Sequence, residues 1–232
     1  MMDWRGAARG ASSVPSIEVP LRERLREIRE QSRALIGAER MSPVDCAVAE
    51  LEQSGPVDRI LPVGAKAPEF ALSDQNGKIV SSAELLARGP LIINFYRGRW
   101  CPYCVAMLEM WQQMLARIRE AGANLLAISP QKPQHTFFTA DQHKLTYPVL
   151  SDAGNAVARE FGLVYRLPDY LQQHYRRVFI NLPNSNGDQS WELPLPASYV
   201  IGQDGLVLYA KAFADFTQRP EPEEVLSSIQ SC

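Results

Sequence analysis

From Leu61 onward the sequence predicts an α/β layer architecture in which strands pair in parallel and alternate with helices. Three observations carry that prediction. Short apolar runs bounded by Gly or Pro recur, as at residues 91–96, 124–129 and 147–150. Segments with apolar residues at helical spacing lie between them, so that 91–96, 105–119 and 124–129 form a strand-helix-strand unit with a helix stop at Ala121-Gly122. The 232 residues, 46% hydrophobic and 22% charged, are enough for one sizeable core and a smaller appendage.

Taken in order, residues 1–16 are rich in Gly, Ala, Ser and Arg without a period and predict a mobile tail. Residues 17–58 predict an N-terminal helical extension. Its first helix, 20–36, spaces Leu21, Leu25, Ile28 and Leu35 among alternating Arg and Glu, and its second, 43–53, ends at the breaker Ser54-Gly55-Pro56. The narrow apolar seam suits packing on the chain's own domain, or alternatively a homodimer contact. Cys46, on the second helix, is expected to be buried. The main domain spans 59–232. Within it a helix is expected at 133–143 with Pro at its first turn, a short one near 155–161, a hairpin from 198–201 and 206–210 across Gly202-Gln203-Asp204-Gly205, and a last helix after Pro222. Residues 165–196 hold four prolines and no clean period, and read as a long, partly ordered insertion. Asp152 and Glu160 read as capping and surface charges.

The chemistry concentrates in Arg97-Gly98-Arg99-Trp100-Cys101-Pro102-Tyr103-Cys104, directly after a strand and at the start of a helix. Unpaired N–H groups and the helix dipole favour an anion there, so a thiolate is stabilised, with Arg97 and Arg99 adding positive charge. A zinc site would need a second ligand pair, yet Cys46, Cys232, His135, His143 and His174 are scattered singly. No metal or other cofactor is called for. Inert burial is disfavoured because Trp100 and Pro102 flank the pair at a turn, where side chains are at least partly reachable. A net charge of -2 gives no electrostatic reason for nucleic acid or an anionic membrane as partner. No apolar run approaches the roughly twenty residues of a spanning helix, and the first ten residues lack a secretory signal's apolar core, so a cytoplasmic location is expected.

Several segments resemble the peroxiredoxins, more specifically the alkyl-hydroperoxide-reductase-like (AhpC/TSA), bacterioferritin-comigratory branch of the thioredoxin-like fold. They are Gly64-Ala65-Lys66-Ala67-Pro68-Glu69-Phe70-Ala71-Leu72, Tyr147-Pro148-Val149-Leu150-Ser151-Asp152 with Phe161-Gly162-Leu163, and Tyr199-Val200-Ile201 with Asp204-Gly205. The resemblance implies a thiol-dependent peroxidase in which Cys104 is the peroxidatic cysteine and Pro102 is in register. It implies a hydroperoxide substrate and a thioredoxin- or glutaredoxin-like dithiol as reductant. Two positions depart from the family. Cys101 stands where the family has a peroxide-binding threonine, and Pro196-Ala197-Ser198 stands where it has an arginine. Both lean toward thioredoxin, in which a cis proline packs on the C-x-x-C pair, making Pro196 the candidate for a cis bond. Two mechanisms therefore use the same residues: Cys104 attacks peroxide and Cys101 resolves the sulfenic acid, or Cys101 attacks a disulfide and Cys104 resolves it. Arg97, Arg99, Trp100, Pro102 and Pro196 are the expected thiolate-stabilising or substrate-binding neighbours. Cys-Pro-Tyr-Cys is also a glutaredoxin motif, a weaker match to the whole chain. A redox-inactive adaptor is the non-enzymatic alternative, and Cys232 is a distant candidate for resolving or intersubunit pairing.

Overall fold

A computed structural model describes residues 19–230; the tail expected at 1–16 and Cys232 lie outside them. Two helices, α1 (Leu21–Ile36) and α2 (Ala38–Gln53), come first. The main domain then runs β1 (Ala71–Ser73), β2 (Ile79–Ser81), α3 (Ser82–Leu86), β3 (Leu91–Phe95), α4 (Pro102–Glu120), β4 (Asn124–Ser129), α5 (Pro133–Gln142), β5 (Val149–Ser151) and α6 (Ala156–Glu160). It continues with β6 (Val164–Arg166), α7 (Asp169–Arg177), α8 (Leu182–Asn186), β7 (Glu192–Pro194), β8 (Ala197–Ile201), β9 (Val207–Ala212) and α9 (Pro222–Gln230).

Seven strands form one mixed sheet in the order β2-β1-β5-β4-β3-β8-β9. The expected parallel pairing is found at its centre, where β3 joins β4 and β4 joins β5. Strands β8 and β9 form the expected hairpin and pair antiparallel, because a short Gly202–Gly205 turn cannot make the crossover that parallel strands need, and β8 in turn pairs antiparallel with β3. All five residues of β3 are buried, since helices cover both faces of the sheet. Ile92 points to the layer holding α1, α4 and α9, whereas Leu91, Ile93 and Phe95 point to the layer holding Phe161 and Tyr199.

The N-terminal extension docks on its own domain. Leu21 and Leu25 enter the core formed by α4 and the sheet, with Ile28 packed against it. Helix α4 is consequently apolar nearly all round, burying Met107, Met110 and Met114 as well as the Leu108, Trp111, Leu115 and Ile118 stripe. Leu35 departs from the expected stripe and is 67% exposed. Arg24 pairs with Glu109 of α4, which also contacts Nδ1 of His143 at 2.8 Å. Pro20 offers α1 no side-chain cap. The Glu221 carboxylate takes that place, accepting from the N–H groups of Leu21 at 3.0 Å and Arg22 at 2.9 Å. Helix α2 starts five residues before the predicted Pro43, after Gly37, and carries that proline inside it. Cys46 is exposed rather than buried, since α2 meets its neighbours through Val44 and Ala47.

The insertion expected at 165–196 holds four short elements joined by loops. Strands β6 and β7 pair antiparallel as a separate ribbon. With α7 and α8 they bury Leu167, Leu171, Tyr175, Leu182, Trp191 and Leu193 in a third core closed by Val44 and Ala47 of α2. Elements of three to nine residues are too short to show a period. Asp152 caps α6 as expected, accepting from Val157 and Ala158 N–H at 3.0 and 2.9 Å.

Leu21→Ala is expected to lower unfolding free energy by about 2–5 kcal/mol, because it empties a side-chain site that is 1% exposed between α1 and α4. Urea unfolding followed by circular dichroism measures this; a loss within experimental error would show that α1 is not docked.

Candidate active site

The pairing of β3 with β4 extends one residue beyond the strand, with Tyr96 N–H donating to Ile128 O at 3.0 Å. The chain then leaves the sheet through Gly98, whose φ of +147° suits glycine, and where a Cβ would lie 2.6 Å from Trp100 Nε1. Cys101 is the N-cap of α4, and its carbonyl accepts from Cys104 and Val105 N–H, both at 3.1 Å. Pro102 opens the helix, where its missing N–H costs nothing. Cys104 therefore lies in the first turn, close to the positive end of the helix dipole.

The two sulfurs have opposite electrostatics. Burial alone would raise the Cys104 pKa. A hydrogen bond from the Cys101 thiol, the charges of Arg219 and Arg97 and the Arg97 backbone N–H outweigh it and lower Cys104 to about 5. Arg219 Nη2 lies 3.1 Å from Cys104 Sγ. Cys101 is pushed well above the ordinary thiol range, by burial first and then by its hydrogen bond to, and the charge of, Cys104. Neither sulfur is reachable from solvent, Cys101 being 2% and Cys104 0% exposed.

The arginines are fixed by different surroundings. Arg97 is 1% exposed and donates from Nη2 to the Tyr175 hydroxyl at 2.5 Å. Its guanidinium lies 4.9 Å from the Trp100 ring centroid and 4.0 Å from that of Phe216. Burial works against this charge, but Tyr165, Tyr175 and both sulfurs outweigh it and hold the group protonated. Trp100 in turn meets Tyr175 edge-on, and Tyr103 meets Phe216 edge-on. Buried Arg97 Nε and Trp100 Nε1 have no protein acceptor. Arg219 donates from Nη1 to Phe216 O and Gln218 O.

Five of the expected residues, Cys101, Cys104, Arg97, Trp100 and Pro102, come together here. Arg99 does not join them. Its guanidinium turns to Gln142 Oε1 of α5 at 3.0 Å and lies beside Phe138. Pro196 is buried at the start of β8, but the expected cis bond is absent: among the described residues every peptide is trans. Leu195 N–H donates to Leu163 O and Ala197 pairs with Phe95, so the chain runs extended from the ribbon into the sheet. The expected partial exposure of the thiols is also corrected, because Tyr175 of the insertion and Phe216 and Arg219 of the loop after β9 close over the turn. Sequence reading missed these three. Arg219 sits in a short aperiodic stretch, and only the fold carries it to Cys104. Among the described residues no three His, Cys, Asp or Glu side chains converge as a metal-ligand set.

Comparison with known proteins gives the geometry its relatives. Chloroplastic peroxiredoxin Q of Gentiana triflora is 33% identical over 100 residues, 43% of this chain and 46% of that protein. Chloroplastic peroxiredoxin Q of Oryza sativa subsp. japonica is 31% identical over 172 residues, 72% of this chain and 66% of the relative. The match thus spans about half to two thirds of these relatives. These relatives are chloroplastic, which overturns the cytoplasmic expectation. Among solved structures, peroxidoxin BcpB of Mycobacterium tuberculosis superposes with a TM-score of 0.58 at 22% identity, covering 74% of this chain and 97% of that one. Peroxiredoxin Q of Xanthomonas campestris gives 0.53 at 19% identity, over 70% and 90%. These likenesses support the thioredoxin-like fold. Residues 63–210 match the model of the AhpC/TSA family, and the chain belongs to that family.

Proposed function

We propose that the chain is a thiol-dependent peroxidase in which Cys104 attacks a hydroperoxide and Cys101 resolves the product. The carrying observation is the asymmetry of the pair: Cys104 is the sulfur held as an anion, with Arg219 at 3.1 Å, while Cys101 is held as a neutral thiol. The Cys104 thiolate attacks the distal peroxide oxygen, an S–O bond forms as the O–O bond breaks, and the alkoxide or hydroxide leaves and takes a proton. Sulfur loses two electrons and the peroxide gains them. The Cys101 thiol then condenses with the sulfenic acid, closing a disulfide and releasing water. A thioredoxin- or glutaredoxin-like dithiol returns both thiols by exchange.

Simple disulfide exchange would need Cys101 as an exposed, low-pKa attacker. It is neither exposed nor low. The peroxidase reading gives the first attack to Cys104, the sulfur held as an anion, whereas exchange would give it to Cys101, the sulfur held as a neutral thiol.

Hydrogen peroxide turnover, coupled through thioredoxin and its reductase to NADPH, tests the roles. Cys104→Ser is expected to fall to background, and Cys101→Ser to give a single burst without turnover. Peroxide left unconsumed, with disulfide reduction that depends first on Cys101, would sink the peroxidase reading. The burst rate should also be nearly flat through neutral pH. It should fall on the order of tenfold per pH unit below about 5, because protonation removes the attacking anion; a rate that instead climbs toward pH 9 would mean an ordinary thiol.

A further inference from the structure

We propose that Arg219 is the activating arginine of the thiol site, and that Glu221 and the N-terminal helix α1 position it. The proposal deepens the peroxidase reading, on which its chemical role rests. The strand position where the resemblance expects an arginine is occupied by Pro196-Ala197-Ser198. Arg219 reaches Cys104 from elsewhere, on the loop between β9 and α9, beyond residue 210 where the family match ends.

The guanidinium has little freedom of aim. Nη1 is committed to two carbonyls of its own loop, Phe216 O at 2.7 Å and Gln218 O at 2.5 Å, which leaves Nη2 directed at Cys104 Sγ. The loop is braced in turn by the Asp215 carboxylate, which accepts from Thr217 N–H and Oγ1 at 2.9 and 2.7 Å and from Gln218 Nε2 at 3.1 Å. A planar fork held on one side delivers the other side in a fixed direction.

The far end of the loop is clamped by the extension. Only buried Pro220, with its fixed φ, separates Arg219 from Glu221. Glu221 serves two helices at once. Its backbone carbonyl accepts from Glu224 and Val225 at the start of α9, and its carboxylate accepts from Leu21 and Arg22 N–H at the start of α1. Leu21, 1% exposed, anchors that end of α1 in the core beside α4, the helix that carries Cys104. Segments outside the family-matched region therefore replace the missing arginine, and α1 sets its register.

Ultraviolet thiolate absorbance against pH, on the full chain with Cys46→Ser and Cys232→Ser, reads the Cys104 midpoint without peroxide; the step should vanish in Cys104→Ser. Arg219→Gln is expected to raise the midpoint from about 5 by about 1–3 pH units, and Arg219→Lys by less, since it keeps the charge without the fork. Glu221→Ala should raise it by part of that amount and add nothing in the Arg219→Gln background, because it acts through Arg219. A folded Arg219→Gln with an unmoved midpoint overturns the role of Arg219. A Glu221→Ala shift that is absent, or that persists in the double variant, overturns the positioning. Should Arg219→Gln fail to fold, Arg219→Lys decides: a raised midpoint supports the proposal and an unmoved one overturns it. Because the titration uses no peroxide, a chain that consumes none would lose the peroxidase reading while this result still stood on its own.

Discussion

A sulfur anion without access to solvent is the constraint around which the rest of this molecule is arranged. An isolated buried charge is costly unless paired and hydrogen-bonded. Cys104 meets that demand with Arg219 at 3.1 Å, the Cys101 thiol and the Arg97 N–H at the start of a helix. Its partners are themselves buried cations. Arg97 needs the Tyr175 hydroxyl and the faces of Trp100 and Phe216, and Arg219 needs the carbonyls of its own loop. One anion thus recruits residues from the active-site turn, the insertion and the loop after β9. The low dielectric that makes the anion expensive also strengthens each of these contacts.

The additions to the domain follow from this closure. The third core fixes Tyr175 by packing the ribbon and α7 against α2. Helix α1 covers part of the solvent side of α4, which turns an amphipathic helix into one buried over most of its surface. Phe216 joins both regions, lying over Arg97 on one side and against Tyr103 on the other. The helical extension and the insertion are therefore walls of the site, even though both halves of the thiol pair come from a strand-helix turn inside the family-matched region.

What was legible in the sequence was local. The β3-α4-β4 unit, the thiol pair at a helix start and the Leu21, Leu25 and Ile28 seam each rest on a period or a turn signal within a few residues. Leu35 continued that period and is nonetheless exposed, because periodicity predicts a face and not the length over which a neighbour covers it. The insertion hid its order because it consists of elements too short to repeat. Pro196 resembles thioredoxin's cis proline in position, yet the chain runs extended from β7 into β8 and the bond is trans. Arg219 was invisible for a different reason. It is separated from Cys104 by 115 positions, and no pattern links an arginine on a loop to a sulfur so distant in sequence.

The same distance bears on the two departures from the family pattern. Cys101 stands where the resemblance expects a threonine, and its thiol hydrogen-bonds Cys104 in place of that hydroxyl. Removing an arginine from the strand would leave the thiolate with one guanidinium, Arg97, whose own donors face Tyr175 and aromatic rings. A second guanidinium, that of Arg219, lies 3.1 Å from the sulfur without needing the strand. The electrostatic requirement is met at a point in space, and several backbone routes lead to that point. A missing motif residue is therefore weak grounds for calling such a site inactive until the charges around the sulfur have been traced in three dimensions.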